Sequence, residues 1–149
     1  MVIIIFATTL SIGTGAFLPD PDLRHTGIFT PFSITVLTDL GRFHPFFSVE
    51  LLPAGSGNYD LNFYLLESGL SFRSGIFQNR IGLGAGGIER KLDSEKERGV
   101  IYCFFVKAGP LFDLSQFNLL PLFDLHILTD TEAYTWLAGL GVEFGYAFP

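Results

Sequence analysis

In several segments glycine and other small residues occupy every second position, and eight ionisable residues occupy positions of the same set. They are Glu50, Glu67, Arg73, Arg80, Lys107, Asp124, His126 and Glu143. Carboxylates beside a histidine could provide general acid–base chemistry, and a nearby serine would complete a nucleophilic site. His126 and Glu143, however, lie toward opposite ends of their segments, and apolar residues follow His126 where a serine would be needed. The sequence therefore predicts no catalytic residue.

Residues that could hold a metal ion or a cofactor are sparse. His25, His44 and His126 lie on different segments, and the single Cys103 excludes a disulfide framework and a thiolate-rich metal site. A glycine-rich stretch superficially resembles a phosphate-binding loop: Gly82, Gly84, Gly86 and Gly87. No helix follows it to supply the N-terminus that would bind phosphate. We therefore predict no metal ligand and no cofactor, and interpret the glycines as room inside a narrow interior.

The composition limits the class of protein that could carry these residues. The chain has 149 residues, of which 48% are apolar, 15% aromatic and 16% charged. This predicts a single domain over residues 1–149 and excludes a disordered chain. A membrane helix needs about 20 apolar residues, and no such run follows the first dozen residues. The net charge of −6 gives no reason to expect a nucleic-acid partner.

The last segment, 134–148, has the clearest pattern. Its even positions are aromatic at both ends and apolar between, from Tyr134 and Trp136 to Tyr146 and Phe148. Its odd positions are mostly small, apart from Leu137 and the acidic Glu143. Successive strand residues point to opposite faces, so this segment has one apolar face flanked by aromatic residues. This distribution is typical of a strand that crosses a bilayer.

Similar alternation predicts six further strands and an all-β fold. They cover residues 28–38, 43–52, 60–73, 77–88, 100–112 and 117–128. The connections at 39–42, 74–76 and 113–116 are short, whereas those at 53–58, 90–98 and 129–132 are longer or more polar. Short turns at one end and longer loops at the other are typical of outer-membrane barrels. We interpret the charged 90–98 segment as a solvated loop tip, with a lipid-headgroup or ligand site as the alternative.

Seven strands leave a barrel open, because bacterial single-chain barrels have even strand numbers. Residues 2–12 could supply an eighth strand that pairs with the last one. Alternatively, residues 1–16 could be a signal peptide cleaved after Ala16, although no Lys or Arg precedes the apolar run. Both interpretations imply export.

The chain resembles the small eight-stranded outer-membrane β-barrels of bacteria, of the OmpX-like and OmpA-transmembrane-like kind. The likeness covers nearly the whole length and is most specific at the ending Gly139-Leu140-Gly141-Val142-Glu143-Phe144-Gly145-Tyr146-Ala147-Phe148-Pro149. It implies a closed antiparallel up-and-down barrel in the outer membrane, in contact with its lipid. The family usually ends in an aromatic residue that the barrel-assembly machinery reads, whereas here Pro149 follows Phe148. The resemblance implies a location and a fold, but no activity.

We therefore expect a monomeric, non-catalytic barrel protein with a structural or surface-interaction role. One alternative is an outer-membrane barrel enzyme that acts on lipid. A second is a soluble lipid-binding barrel, which the mean hydropathy of +0.41 and the small residues of the polar face disfavour.

The eight ionisable residues should meet inside such a barrel, because unpaired charges are costly within a membrane. The short turn at 113–116 predicts that Lys107 lies opposite Asp124, and the 90–98 connection places Arg80 beside Lys107. These residues form a predicted belt of two cations and one carboxylate, with Glu67 or Glu143 available to balance the charge.

Overall fold

A computed structural model describes residues 9–21, 27–38, 43–57, 59–93 and 95–148. The described residues fold almost entirely into β-strands. Their bounds are β1 (Thr9–Pro19), β2 (Phe32–Leu37), β3 (His44–Ser56), β4 (Tyr59–Ser74), β5 (Phe77–Leu92), β6 (Glu95–Pro110), β7 (Phe112–Leu114), β8 (Phe117–Thr129) and β9 (Tyr134–Ala147). Among these residues, no helix is long and apolar enough to span a membrane.

The strands form one closed antiparallel sheet. Consecutive strands pair from β1 to β6 and from β7 to β9, β1 pairs with β9, and the ring closes where β6 and β7 both pair with β8. The short β7 continues β6 past Leu111 in the same register against β8. Counted together, β6 and β7 form one barrel strand, so the barrel has eight strands. The predicted up-and-down barrel is confirmed.

The first strand extends beyond its predicted end at residue 12. Within the described residues β1 covers Thr9–Pro19, and residues 2–8 of the predicted range lie outside the described part of the chain. β1 pairs along its length with β9, from Thr9 opposite Ala147 to Pro19 opposite Leu137. Phe29 then bridges back to Phe17 before β2 begins. The end of the first strand is therefore marked by the polar residues after Pro19.

Two of the predicted longer connections are wrong. Residues 53–56 belong to β3, and residues 90–92 and 95–98 extend the β5–β6 hairpin. Tight turns replace the loops, with positive φ angles at Gly57 (63°) and Asp93 (54°). We call this end of the barrel the hairpin end, and the end where Thr9 pairs with Ala147 the C-terminal end.

The alternation of residues fixes which side chains face outward. On β9 the even residues face out, including Leu140 and Val142, while Leu137 and Glu143 are buried inside. The outer surface of the other strands is likewise covered by exposed large apolar side chains, such as Leu66, Leu83 and Phe123. A surface of this kind suits a hydrocarbon environment.

Side chains fill the middle of the interior, and its composition changes along the barrel. The largest buried apolar cluster contains Phe17, Phe29, Phe63, Phe105 and Leu137. A group of buried ionisable residues lies beside it. Eight-stranded barrels are just wide enough for side chains to fill, and this interior follows that rule.

Candidate functional site

An ion network in the lumen is built around Lys107. The ammonium Nζ lies 2.6 Å from Glu50 Oε2, 3.2 Å from Glu67 Oε2 and 3.2 Å from Asp124 Oδ2. These four residues come from β3, β4, β6 and β8, and each is at most 3% exposed. One cation therefore ties together four strands around the barrel.

His126 joins the same carboxylates from the other side. Its Nε2 lies 2.7 Å from Glu67 Oε1 and 3.5 Å from Glu50 Oε2, and its Nδ1 lies 3.2 Å from Asp124 Oδ1. Three carboxyl groups therefore surround the Lys107 ammonium and the His126 ring in this part of the network.

A second ion pair lies nearby. Arg80 Nη1 donates to Glu143 Oε1 at 2.7 Å, and both side chains are 3% exposed. The guanidinium also lies over the Phe46 ring, 5.5 Å from its centroid. The whole network thus brings four acidic side chains together with three basic ones.

The register of the network matches the prediction, whereas its composition differs. Lys107 pairs with Asp124 across β6 and β8, and with Arg80 across β5 and β6. Glu50 makes the shortest contact with Lys107, although no hairpin turn links their strands. Glu67 and Glu143, which were expected to balance the charge, contact Lys107 and Arg80, and Glu50 from across the lumen joins them.

Arg73 is also a correction. It shares the inward parity of β4, but it lies near the C-terminal end, where its side chain is 47% exposed. It donates to Asp113 Oδ2 at 2.9 Å and to the Gly75 carbonyl oxygen at 3.2 Å. It is therefore a rim residue, because β4 has already reached the open end of the barrel there.

Glycines make room for the network and for the rings above it. A Cβ at Gly13 would lie 2.8 Å from the Glu143 Cγ and 2.6 Å from the Ser33 Oγ. A Cβ at Gly82 would lie 2.3 Å from the Ser68 carbonyl oxygen and 2.6 Å from the Phe105 Cζ. These distances are shorter than any normal Cβ contact, so larger residues would displace their buried neighbours. Gly82 thus fits the interpretation of the glycine-rich stretch as space in a narrow lumen, whereas a Cβ at Gly87 would meet only the Gly99 carbonyl oxygen, at 3.8 Å.

An aromatic plug closes the lumen beside the network, toward the hairpin end. The rings of Phe17 and Phe105 lie 5.4 Å and 5.7 Å from the His126 ring, and Phe46 packs on Phe105 at 5.8 Å. Lys107 Nζ lies 5.3 Å from the centre of the Phe105 ring. The network and the plug therefore form one continuous block across the barrel.

The block separates two cavities. The one at the C-terminal end has a volume of about 370 Å³ and is lined by polar residues such as Ser11, Gln78 and Asn118. The one at the hairpin end has about 250 Å³ and mainly apolar walls. The gap beside Lys107 and Glu143 has only about 10 Å³, close to the minimum for one water molecule.

The block does not resemble a hydrolytic site. Both nitrogens of His126 face carboxylates, so neither is left to activate a serine. Its side chain is fully buried, whereas a nucleophilic site must admit a substrate. The cavity at the hairpin end is not lined by His126.

The site also brings together atoms that metals bind. Glu67, Cys103 and His126 form one group of close ligand atoms, and Glu50, Asp124 and His126 form another. Both groups share His126, and Lys107 already contacts their carboxylates. The three histidines, which lie on different segments, do not indicate this convergence, because it depends on residues from four strands.

The hairpin end carries most of the exposed charge. On the outer side of the β5–β6 hairpin, Glu89 contacts Lys96 at 2.8 Å and Arg98 at 3.1 Å. On the inner side, Arg90 lies 3.7 Å from Glu97. Exposed pairs of this kind contribute little stability, so this arrangement mainly keeps the hairpin soluble in water.

The loop after β8 is held by Asp130. Its Oδ1 accepts hydrogen bonds from the backbone N–H groups of Ala133 at 2.9 Å and Glu132 at 3.0 Å. These bonds keep the pKa of the Asp130 carboxyl below its usual value. Thr129 Oγ1 also donates to the Ala133 carbonyl oxygen at 2.7 Å. The loop is therefore fixed at the edge of the hairpin-end cavity.

Comparison with known proteins identifies the fold. No sequence profile of a known family and no curated protein sequence matches the chain. Neisserial surface protein A (NspA) is similar in structure with a TM-score of 0.64 and 8% identity, covering 94% of this chain and 95% of that one. The N-terminal β-barrel domain of Pseudomonas aeruginosa OprF has a TM-score of 0.58 and 14% identity, covering 94% of this chain and 98% of that one. Ail, the attachment invasion locus protein of Yersinia pestis, has a TM-score of 0.57 and 14% identity, covering 93% of this chain and 95% of that one. The chain has the fold of small eight-stranded outer-membrane barrels.

Proposed function

We propose that this protein is a non-catalytic component of the bacterial outer membrane with a structural or surface-interaction role. Its fold and its apolar outer surface support the location. The observation that carries the functional proposal is the block of ions and rings that fills the lumen. Because the block closes the lumen, we expect interactions to take place at the apolar outer surface and at the exposed hairpin end.

The block argues against a transport role. A hydrated solute would need a continuous polar path, and Phe105 and His126 are fully buried where such a path would run. The rings pack on one another and on two of the cations. Opening the path would require separating ion pairs in a medium of low dielectric constant, which is costly.

Ion conductance in planar lipid bilayers tests this proposal. The purified protein should give no steady conductance, whereas Phe105→Ala should leak because it removes the central ring of the plug. Phe104→Ala is the matched control, because Phe104 is the adjacent residue and faces outward. Steady conductance of the unmodified protein, or equal leakage of the two variants, would contradict a sealed barrel.

The alternatives predict different behaviour. A lipid-acting enzyme would need an accessible nucleophile beside His126, and the contacts of that ring with Glu67 and Asp124 do not support one. A soluble lipid-binding barrel would present a polar exterior and an apolar interior. The apolar exterior and ionic interior of this chain have the opposite arrangement.

We further propose that the barrel is a monomer whose last strand is recognised by the barrel-assembly machinery. Tyr146 and Phe148 lie at the C-terminal end, with their rings 5.1 Å apart, while Pro149 lies outside the described residues. We also propose that β1 stays in the mature protein, because it closes the sheet between β2 and β9. N-terminal sequencing tests this directly: a mature protein beginning at Phe17 would lack most of β1.

A further inference from the structure

The cavity at the hairpin end has the features of a binding pocket. Its volume is about 250 Å³, and its walls include the buried side chains of Leu61, Phe63, Ile101 and Leu128. An apolar cavity of about 150 Å³ is large enough to hold benzene. The pocket can therefore accept an aromatic ring or a short branched alkyl group.

A buried polar atom lies within these apolar walls. Thr135 lines the pocket, and its Oγ1 is buried without a hydrogen-bond partner among the described residues. Buried hydroxyl groups are normally hydrogen-bonded, because leaving one unsatisfied is unfavourable. A polar atom on a bound molecule would satisfy Thr135.

The mouth of the pocket offers a cation. Arg90 lines the pocket, and its side chain is about half exposed. Its contact with Glu97 is 3.7 Å, longer than the roughly 2.7–2.9 Å of a charge-assisted hydrogen bond. Asp130 also lines the mouth, but its Oδ1 is occupied by the N–H groups of its own loop. Arg90 therefore has N–H donors available to a carboxylate.

We propose that this pocket binds a small aromatic or branched carboxylic acid. The apolar group lies against Phe63 and Ile101, the carboxylate is bound by Arg90, and a hydroxyl on the ring meets Thr135. The inference rests on the proposed function in one respect, that the hairpin end of the barrel is open to water. It gives the surface-interaction role a chemical class of ligand.

Three probes with the same apolar group isolate the role of charge. They are 3-phenylpropionate, 2-phenylethanol and 2-phenylethylamine, titrated against the barrel in lipid nanodiscs and followed by NMR shifts of the amides at 133–135. Nanodiscs avoid detergent chains that would compete for the pocket. The anion should bind most tightly and the amine most weakly. Equal binding of the three, tightest binding of the amine, or shifts elsewhere only would overturn the proposal.

Variants at the mouth assign the interaction to Arg90. Arg90→Gln should weaken binding of 3-phenylpropionate roughly tenfold and leave 2-phenylethanol unchanged, because only the charge-assisted hydrogen bond is lost. Lys91→Gln is the matched control, since Lys91 is the next residue along the same strand and has the opposite parity. An equal effect of the two substitutions would contradict a specific contact with Arg90.

Two further variants separate binding from folding. Ala133→Trp, at an exposed loop position on the pocket edge, should abolish binding of all three probes. Thr135→Val should remove the advantage of a ring hydroxyl, measured as 3-(4-hydroxyphenyl)propionate against 3-phenylpropionate. Heat-modifiable migration on gels shows that each variant is folded. If the folded barrel is non-conducting yet binds none of the probes, this inference fails while the proposed function stands.

Discussion

Replacing Lys107 with methionine should destabilise the barrel far more than replacing an exposed lysine. Lys107 is the cation that contacts Glu50, Glu67 and Asp124, and it is almost fully buried. Methionine has a similar length and keeps the packing against Phe105. The loss is therefore mainly electrostatic. Removing one partner of a buried ion pair typically costs about 3–5 kcal/mol.

Proton uptake sets an upper limit on this loss. A carboxylate left without its cation can neutralise itself at about 1.4 kcal/mol per pH unit above the ordinary glutamic acid pKa of roughly 4.3. The free energy of unfolding should thus fall by at most about 4 kcal/mol at pH 7 and by about 1 kcal/mol at pH 5. The sign follows because lower pH supplies the proton that replaces the missing cation.

Urea titration in lipid vesicles measures the effect, with fluorescence of the single tryptophan, Trp136, as the signal. Lys91→Met is the control for the loss of a lysine. Glu50→Gln combined with Lys107→Met should recover most of the stability, because it removes the carboxylate nearest to the missing ammonium. A cost for Lys107→Met that matches the control, does not change between pH 7 and pH 5, or is not relieved by Glu50→Gln would refute this reasoning.

Three further predictions concern the lipid-facing surface, the aromatic plug and the loop after β8. Val142→Arg should lower the free energy of unfolding from vesicles by about 2–4 kcal/mol and Tyr134→Arg by much less, because only Val142 lies near mid-membrane. Gly82→Ala should cost about 1–3 kcal/mol in the same titration, since its Cβ would lie 2.3 Å from the Ser68 carbonyl oxygen and 2.6 Å from the Phe105 Cζ. Phe105→Leu should relieve only the part of that cost that is due to the ring. The Asp130 carboxyl has a lowered pKa, so its two loop hydrogen bonds contribute stability above the unfolded pKa and are lost as pH falls through the folded pKa. Protection of the Glu132 and Ala133 amides from hydrogen exchange should therefore fall as the pH is lowered in the parent protein, and should be low at all pH values in Asp130→Ala, which has no acceptor. Protection that does not change with pH in the parent would contradict this.

The fold could be predicted from the sequence because the alternation of residue types along each strand distinguishes its two faces. The alternation from Tyr134 to Phe148 predicts both the lipid-facing side and the inward position of Glu143, and a short turn fixes Lys107 opposite Asp124. These are local relations between neighbouring strands. They depend only on parity and turn length.

The site was less accessible because its contacts cross the lumen. Glu50 and Lys107 belong to strands that are not neighbours, and their distance depends on the tilt and stagger of the whole barrel. Parity likewise does not show where a strand leaves the membrane, which is why Arg73 was placed in the network rather than at the rim. The long β5–β6 hairpin was missed for a related reason, because its charged residues 90–98 resemble a loop.

Accessibility of spin labels along β9 tests the membrane-spanning barrel most directly. Single cysteines at positions 136–146, introduced with Cys103→Ala and labelled in lipid vesicles, report their exposure to oxygen and to a water-soluble nickel complex. We predict a period of two. Labels at even positions should be accessible to oxygen, most strongly at Leu140 and Val142, and labels at odd positions should be accessible to neither reagent. Even positions open to the nickel complex along the whole strand, or no period of two, would contradict it.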